Sequence, residues 1–122
     1  MSAWVWVGVA LLSGIAAIGR FLLVALISSR LKGVFPLGTF VVNTTGALLL
    51  GLLAGLAVEG DTLILIGAAT LGSYTTFSTW MLETHRLVAV EDEIPTAAIN
   101  ILLSLIVGVG AVALGRVIGV HL

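Results

Sequence analysis

The stretch "TLGSYTTFSTW", Thr70 to Trp80, concentrates more chemically capable side chains than any other part of the sequence. Hydroxyls stand at Thr70, Ser73, Tyr74, Thr75, Thr76, Ser78 and Thr79, and Phe77 and Trp80 add aromatic rings. Hydroxyls and the indole N–H are hydrogen-bond donors that an anion can use. A ring's edge is electropositive and its face electronegative, so rings turned edge-on to a path favour an anion as well. Phe77 and Trp80 are three apart and share a face wherever the backbone is helical. From Gly72 to Trp80 no residue is a strong helix former, and the hydroxyls compete for backbone groups. The segment therefore predicts a break in a helix. A break frees carbonyl oxygens, and carbonyls arranged about a symmetry axis suit a hard cation such as Na⁺.

Two polar stripes accompany this run. Thr39 and Asn43 are four apart, as are Asn100 and Ser104, with Gly108 one turn further on. That spacing puts each pair on one helix face. Plain interhelical hydrogen bonding accounts for an isolated pair, at ~0.6 kcal/mol each. Two stripes facing a hydroxyl-rich helix read better as a wetted track. Arg20 sits inside an apolar run, about 10 Å from that run's far end at ~1.5 Å per residue. It either snorkels to the interface or draws an anion into a vestibule. The acids lie outside the first, second and fourth apolar runs, which favours the anion. Glu83, near the end of the third run, is placed to pair with Arg20 or to cap an aqueous mouth.

Other chemistries lack their residues. With no cysteine there is no thiolate or disulfide chemistry. The two histidines, His85 and His121, have no ligand-spaced partners for a His/Cys metal site. No nucleophile–base pair, carboxylate pair or phosphate loop is present, so the sequence does not read as an enzyme. A net charge of −1 gives no basic patch for nucleic acid.

The elements that position these residues are membrane helices. Sixty per cent of the 122 residues are hydrophobic and 9% charged, with a mean hydropathy of +1.27. So few charges cannot wet the surface of a soluble domain, which carries about 25%. A spanning helix needs about 20 apolar residues. Four runs qualify, giving spans near 3–28, 34–58, 62–85 and 94–118 in a single domain, 1–122. The polar segments "SSRLK", "EGD" and "HRLVAVEDE" fall between them. The N-terminus lacks a basic leader region and reads as a retained first span. Pro36 and Pro95 suit first helical turns, and Glu91, Asp92 and Glu93 complement the positive end of span four. Gly51 and Gly55, like Gly115 and Gly119, form small-xxx-small pairs that let helices approach closely. Arg30, Lys32 and Arg86 share one side of the membrane and Arg116 the other. That weak bias permits insertion in both orientations. Four short helices offer little interior to line a path, so oligomerisation is expected, with two-fold symmetry the commonest form.

Across nearly its whole length the chain resembles the Fluc (CrcB) fluoride channels. The resemblance rests on "GRF" in span one, "GTFVVNTTG" in span two, "GSYTTFSTWMLE" in span three and "NILLSLIVGVGAVALG" in span four. It implies an all-α integral membrane protein with the third helix broken mid-membrane, assembled as an antiparallel, dual-topology homodimer. Two fluoride pores would run along the subunit interface, with chloride excluded. The setting would be the lipid bilayer of a prokaryotic plasma (inner) membrane, where fluoride leaves the cytoplasm passively. Gly72 and Thr75 would give backbone carbonyls to a central structural Na⁺. Phe77 would be the first pore aromatic, and Trp80 stands where that family usually has a second Phe. Asn43 would donate a hydrogen bond near the rings. Ser78, Thr79 and Ser104 would belong to the polar track, Arg20 to the vestibule, and Glu83 to the acid after the aromatic pair. Ser73 and Asn100 depart from a frequent Gly and Tyr. Two other classes compete: a small four-helix multidrug or guanidinium exporter, and a membrane assembly protein without transport. The exporter needs a titrating Glu in span one, where this chain has Arg20.

Overall fold

The computed structural model describes all 122 residues and contains helices and no strand. Helix α1, Ala3–Arg30, opens at Ser2, whose hydroxyl accepts the Val5 N–H at 3.3 Å. This is ordinary N-capping by a serine. Helix α2, Leu37–Gly55, starts just after Pro36. The third apolar run is a chain of pieces: α3, Gly60–Thr62; a π-helix, Leu63–Leu71; α4, Gly72–Tyr74; and α5, Ser78–Ala89. Helix α6, Ile94–Val120, carries Pro95 in its first turn, where no intrahelical N–H is lost.

Three helices, α1, α2 and α6, are long and apolar enough to cross a membrane. The third run is not one such helix, because its backbone passes from α to π and back and then breaks. In the π-helix each N–H reaches one residue further back. Gly72 N–H bonds the Gly67 carbonyl, and the Thr70 hydroxyl bonds the Leu65 carbonyl at 2.7 Å. Such wide turns are rare and gather at functional sites. The helix then stops at Thr75, which is extended (φ −84°, ψ 160°).

The tightest packing is α2 against α6. A Cβ on Gly51 would lie 2.1 Å from the Val112 carbonyl oxygen, and one on Gly115 2.1 Å from that of Leu48. At Gly55 and Gly119 the same clash appears, at 2.2 Å from the Arg116 oxygen and 2.5 Å from the Leu52 oxygen. The two glycine pairs are thus each other's partners, and backbone meets backbone. Helix α1 lies against the π-helix, with the Ser13 hydroxyl donating to the Ala69 carbonyl at 3.2 Å. Its outer face presents Trp4, Ile15, Ile18 and Phe21. Only 17 of the 122 residues are buried, so most apolar side chains point outward. Water does not tolerate so large an apolar surface, whereas a bilayer or a second chain does.

Candidate functional site

The break between α4 and α5 is held open by one side chain of α2. The Asn43 amide nitrogen donates to the Thr76 carbonyl, and its oxygen accepts the Thr76 N–H, both at 2.8 Å. Asn43 therefore replaces the partners that a continuous helix would have given Thr76. The Thr76 hydroxyl accepts the Thr79 N–H at 3.2 Å and caps the start of α5. On the other side of the break, the Thr75 N–H and hydroxyl both donate to the Leu71 carbonyl at 3.0 Å. The Tyr74 hydroxyl lies 2.9 Å from that of Thr45 on α2. Room for the bend comes from Gly46, where a Cβ would fall 2.2 Å from the Thr75 methyl.

The break also releases backbone oxygens. The N–H groups one turn beyond Gly72 are spent elsewhere, Thr75's on Leu71 and Thr76's on Asn43. The Thr75 carbonyl accepts no hydrogen bond from the chain. Neutral carbonyl oxygens with free lone pairs are a fitting donor set for a hard monovalent cation. Gly72 and Thr75 are the residues here whose carbonyls could hold such a cation.

Below the break the two rings meet edge to face, with centroids 5.7 Å apart and planes at 81°. Phe77 and Trp80 line an open groove of about 280 Å³ with Asn43, Thr75 and Thr76. Phe77 is 70% exposed. A neighbouring groove of about 470 Å³ holds Ser104 and Gly108 and shares Ala47 and Val112 with the first. Arg20 borders a third, of about 330 Å³, with Phe21, Thr76 and Thr79. Thr76 is common to the aromatic groove and the arginine groove. Ser78 is exposed beside Phe77, and its hydroxyl lies 3.4 Å from that of Thr76.

Other expected residues are placed differently. Glu83 does not pair with Arg20. Its carboxylate accepts the Thr39 hydroxyl, and it lines a separate cavity with Arg86 and Glu91. Thr39 is buried. The Trp80 indole N–H does not point to a free path but donates to the Asn100 backbone carbonyl at 3.3 Å. Asn100 is buried, bonded to the Thr84 hydroxyl at 2.9 Å and accepting from Ser104 at 3.5 Å. From the sequence alone Thr76 had no role beyond its hydroxyl, and Thr84 and the Tyr74–Thr45 contact went unseen. For Thr76 a signal existed: a threonine three residues before Thr79, at the start of a new helix, has N-cap spacing. No buried side-chain polar atom lacks a partner, so these threonines and asparagines form a completed framework.

Comparison with known proteins shows the family. The CrcB-like protein family (camphor resistance, CrcB) matches residues 7–116. The chain is 47% identical over 112 residues to a protein of Mycobacterium tuberculosis (strain ATCC 25618 / H37Rv) named fluoride-specific ion channel FluC 2, covering 92% of this chain and 88% of that one. It is 43% identical over 123 residues to fluoride-specific ion channel FluC 1 of Symbiobacterium thermophilum, covering 96% and 97%. A FluC 1 of Ligilactobacillus salivarius is 40% identical over 111 residues, covering 91% and 96%. With the family match covering α2, the broken third run and most of α1 and α6, the chain belongs to the CrcB family.

Proposed function

We propose that this chain is the subunit of a fluoride-selective channel that lets fluoride leave a prokaryotic cytoplasm passively across the inner membrane while excluding chloride. The observation that carries the reading is the edge-to-face Phe77–Trp80 pair in an open groove beside the Asn43-clamped break. The names of the relatives, fluoride-specific ion channels, point the same way.

Fluoride is small and strongly hydrated, so a path must replace its water with other positive contacts. Arg20, in the groove beyond Thr76 and Thr79, supplies a positive field at the approach. Ring edges of Phe77 and Trp80 then face the ion, with hydroxyls of Ser78, Thr79 and Ser104 as donors along the track. Asn43 shapes the groove through Thr76, and its second amide hydrogen remains for the ion. Thr39 orients the Glu83 carboxylate, and Asn100 supports the track from behind Ser104. Chloride is larger and draws less from hydrogen-bond donors, so it recovers less of its hydration.

Phe77 is open to the surroundings in a single chain. A second copy, inserted antiparallel, would close the groove and create two pores at a two-fold interface. At that axis the carbonyls of Gly72 and Thr75 from both copies would hold a structural Na⁺, whose charge keeps the facing breaks together.

The test is reconstitution into liposomes loaded with fluoride or chloride, followed by ion-selective electrodes. Rapid fluoride release with no comparable chloride release is expected. No fluoride release, or equally fast chloride release, overturns the proposal. C-terminal reporters for each membrane side should both give signal, and signal from only one would remove dual topology. Crystals grown with a heavier monovalent cation should show anomalous signal on the two-fold, and its absence would remove the Na⁺ site.

A further inference from the structure

We infer that Asn100 and Thr84 are positioning residues for Trp80, forming a clamp that fixes α5 against α6 in the one register where the indole N–H is anchored. This rests on the channel reading above and assigns a role within it.

Three hydrogen bonds close a loop between the two helices. The Asn100 amide donates to the Thr84 hydroxyl at 2.9 Å. Because that amide N–H can only donate, the hydroxyl's own proton goes to the Trp80 carbonyl, 2.8 Å away and one turn back on α5. The Trp80 indole N–H returns to α6 and donates to the Asn100 carbonyl at 3.3 Å. Asn100 is 1% exposed and Thr84 8%, so water does not substitute for either partner. The loop uses both the side chain and the main chain of Asn100. Around it α5 is short, 12 residues, and begins directly at the break. Backbone continuity with α4 therefore does not hold its rotation.

The consequence concerns the ring. An indole is larger than a phenyl group and carries a polar hydrogen, so a free Trp80 has two ways to spoil an anion groove. It can swing across the opening, or it can present its N–H as a sticky site. Committing the N–H to Asn100 removes both. What remains for the groove is the hydrocarbon edge, set at 81° to Phe77. At 3.3 Å the anchoring bond is long for N–H···O, so it depends on the register that Asn100 and Thr84 impose.

The experiment uses full-length protein with Trp4→Phe and Trp6→Phe, which leaves Trp80 as the sole tryptophan. Two readouts are taken for Thr84→Val and Thr84→Ser: the indole ¹⁵N–¹H resonance in detergent, and fluoride efflux from liposomes. Thr84→Val, which keeps shape and loses the hydroxyl, should shift the indole resonance toward its non-bonded position. It should also slow fluoride efflux about tenfold, the size of one lost buried hydrogen bond. Thr84→Ser should restore both. In the Trp80→Phe background, Thr84→Val should change efflux less than about threefold, because no N–H needs an anchor. An unmoved indole resonance in Thr84→Val overturns the clamp, even if the parent protein conducts no fluoride. Equal losses of efflux in both backgrounds overturn it too, and would make the loop a general support for α5. Absence of fluoride efflux from the parent protein would instead overturn the channel reading, while the resonance still decides the clamp.

Discussion

Helix α2 meets its neighbours differently at its two ends. Toward its C-terminus, Gly51 and Gly55 meet Gly115 and Gly119 of α6, and contact is made by removing side chains. Around Thr39 and Asn43 it meets the broken third run, and contact is made by polar side chains that replace missing helix bonds. The first contact is dry, tight and intolerant of volume. The second leaves grooves, exposed rings and unspent carbonyls. Scaffold and site are thus built on one helix by opposite means: close van der Waals approach, which needs no partner chemistry, and specific hydrogen bonds, which hold a gap open at a defined width.

This contrast sets the order of expected effects. Gly115→Val should have the largest, since even one methyl there overlaps the Leu48 carbonyl at 2.1 Å. Overpacking against backbone sits at or above the top of the usual range of about 1–3 kcal/mol, so monodisperse protein should vanish in gel filtration. A Gly115→Val protein that purifies normally would break the scaffold half of the comparison. Asn43→Leu comes next. It orphans the Thr76 N–H and C=O at about 1–3 kcal/mol each, lowers thermal stability, and stops most fluoride efflux from protein that still purifies. Smaller again is Gly46→Ala, whose methyl would meet the Thr75 methyl at 2.2 Å. Its loss of stability should be largely reversed by Gly46→Ala with Thr75→Ser, a coupling of about 1 kcal/mol or more. Additive losses in thermal unfolding would show that Gly46 does not shape the break. The smallest effect belongs to Trp80→Phe, which should keep fluoride efflux within about threefold of the parent. A large loss there would mean that the indole contributes more than a ring edge.

Much of this was legible in the sequence because it depends on local composition. Long apolar runs with few charges mark α1, α2 and α6, and the run of weak helix formers after Gly72 marks the break. Gly51, Gly55, Gly115 and Gly119 were readable as close-packing residues but not as partners of one another. Which faces meet depends on helix rotation and register, and the sequence does not contain these explicitly. For the same reason the Thr84–Asn100–Trp80 loop was hidden, and the sequence left open whether Glu83 pairs with Arg20 or caps an aqueous mouth. The π-helix over Leu63–Leu71 left no compositional trace either, since "LILIGAATL" suits any buried helix. Among the site residues, types and spacing pointed to Asn43, Phe77 and Trp80. Their division of labour, Asn43 on the backbone and the Trp80 N–H on α6, emerged only from geometry.

The central claim is that the anion passes the ring edges at the break. Fluoride efflux from liposomes carrying matched amounts of parent protein and Phe77→Ile tests it most directly. Isoleucine keeps the apolar bulk at this exposed position and loses the electropositive edge. Phe77→Ile should assemble like the parent and lose most fluoride efflux, whereas parent-like efflux would remove the ring from the path and contradict the account.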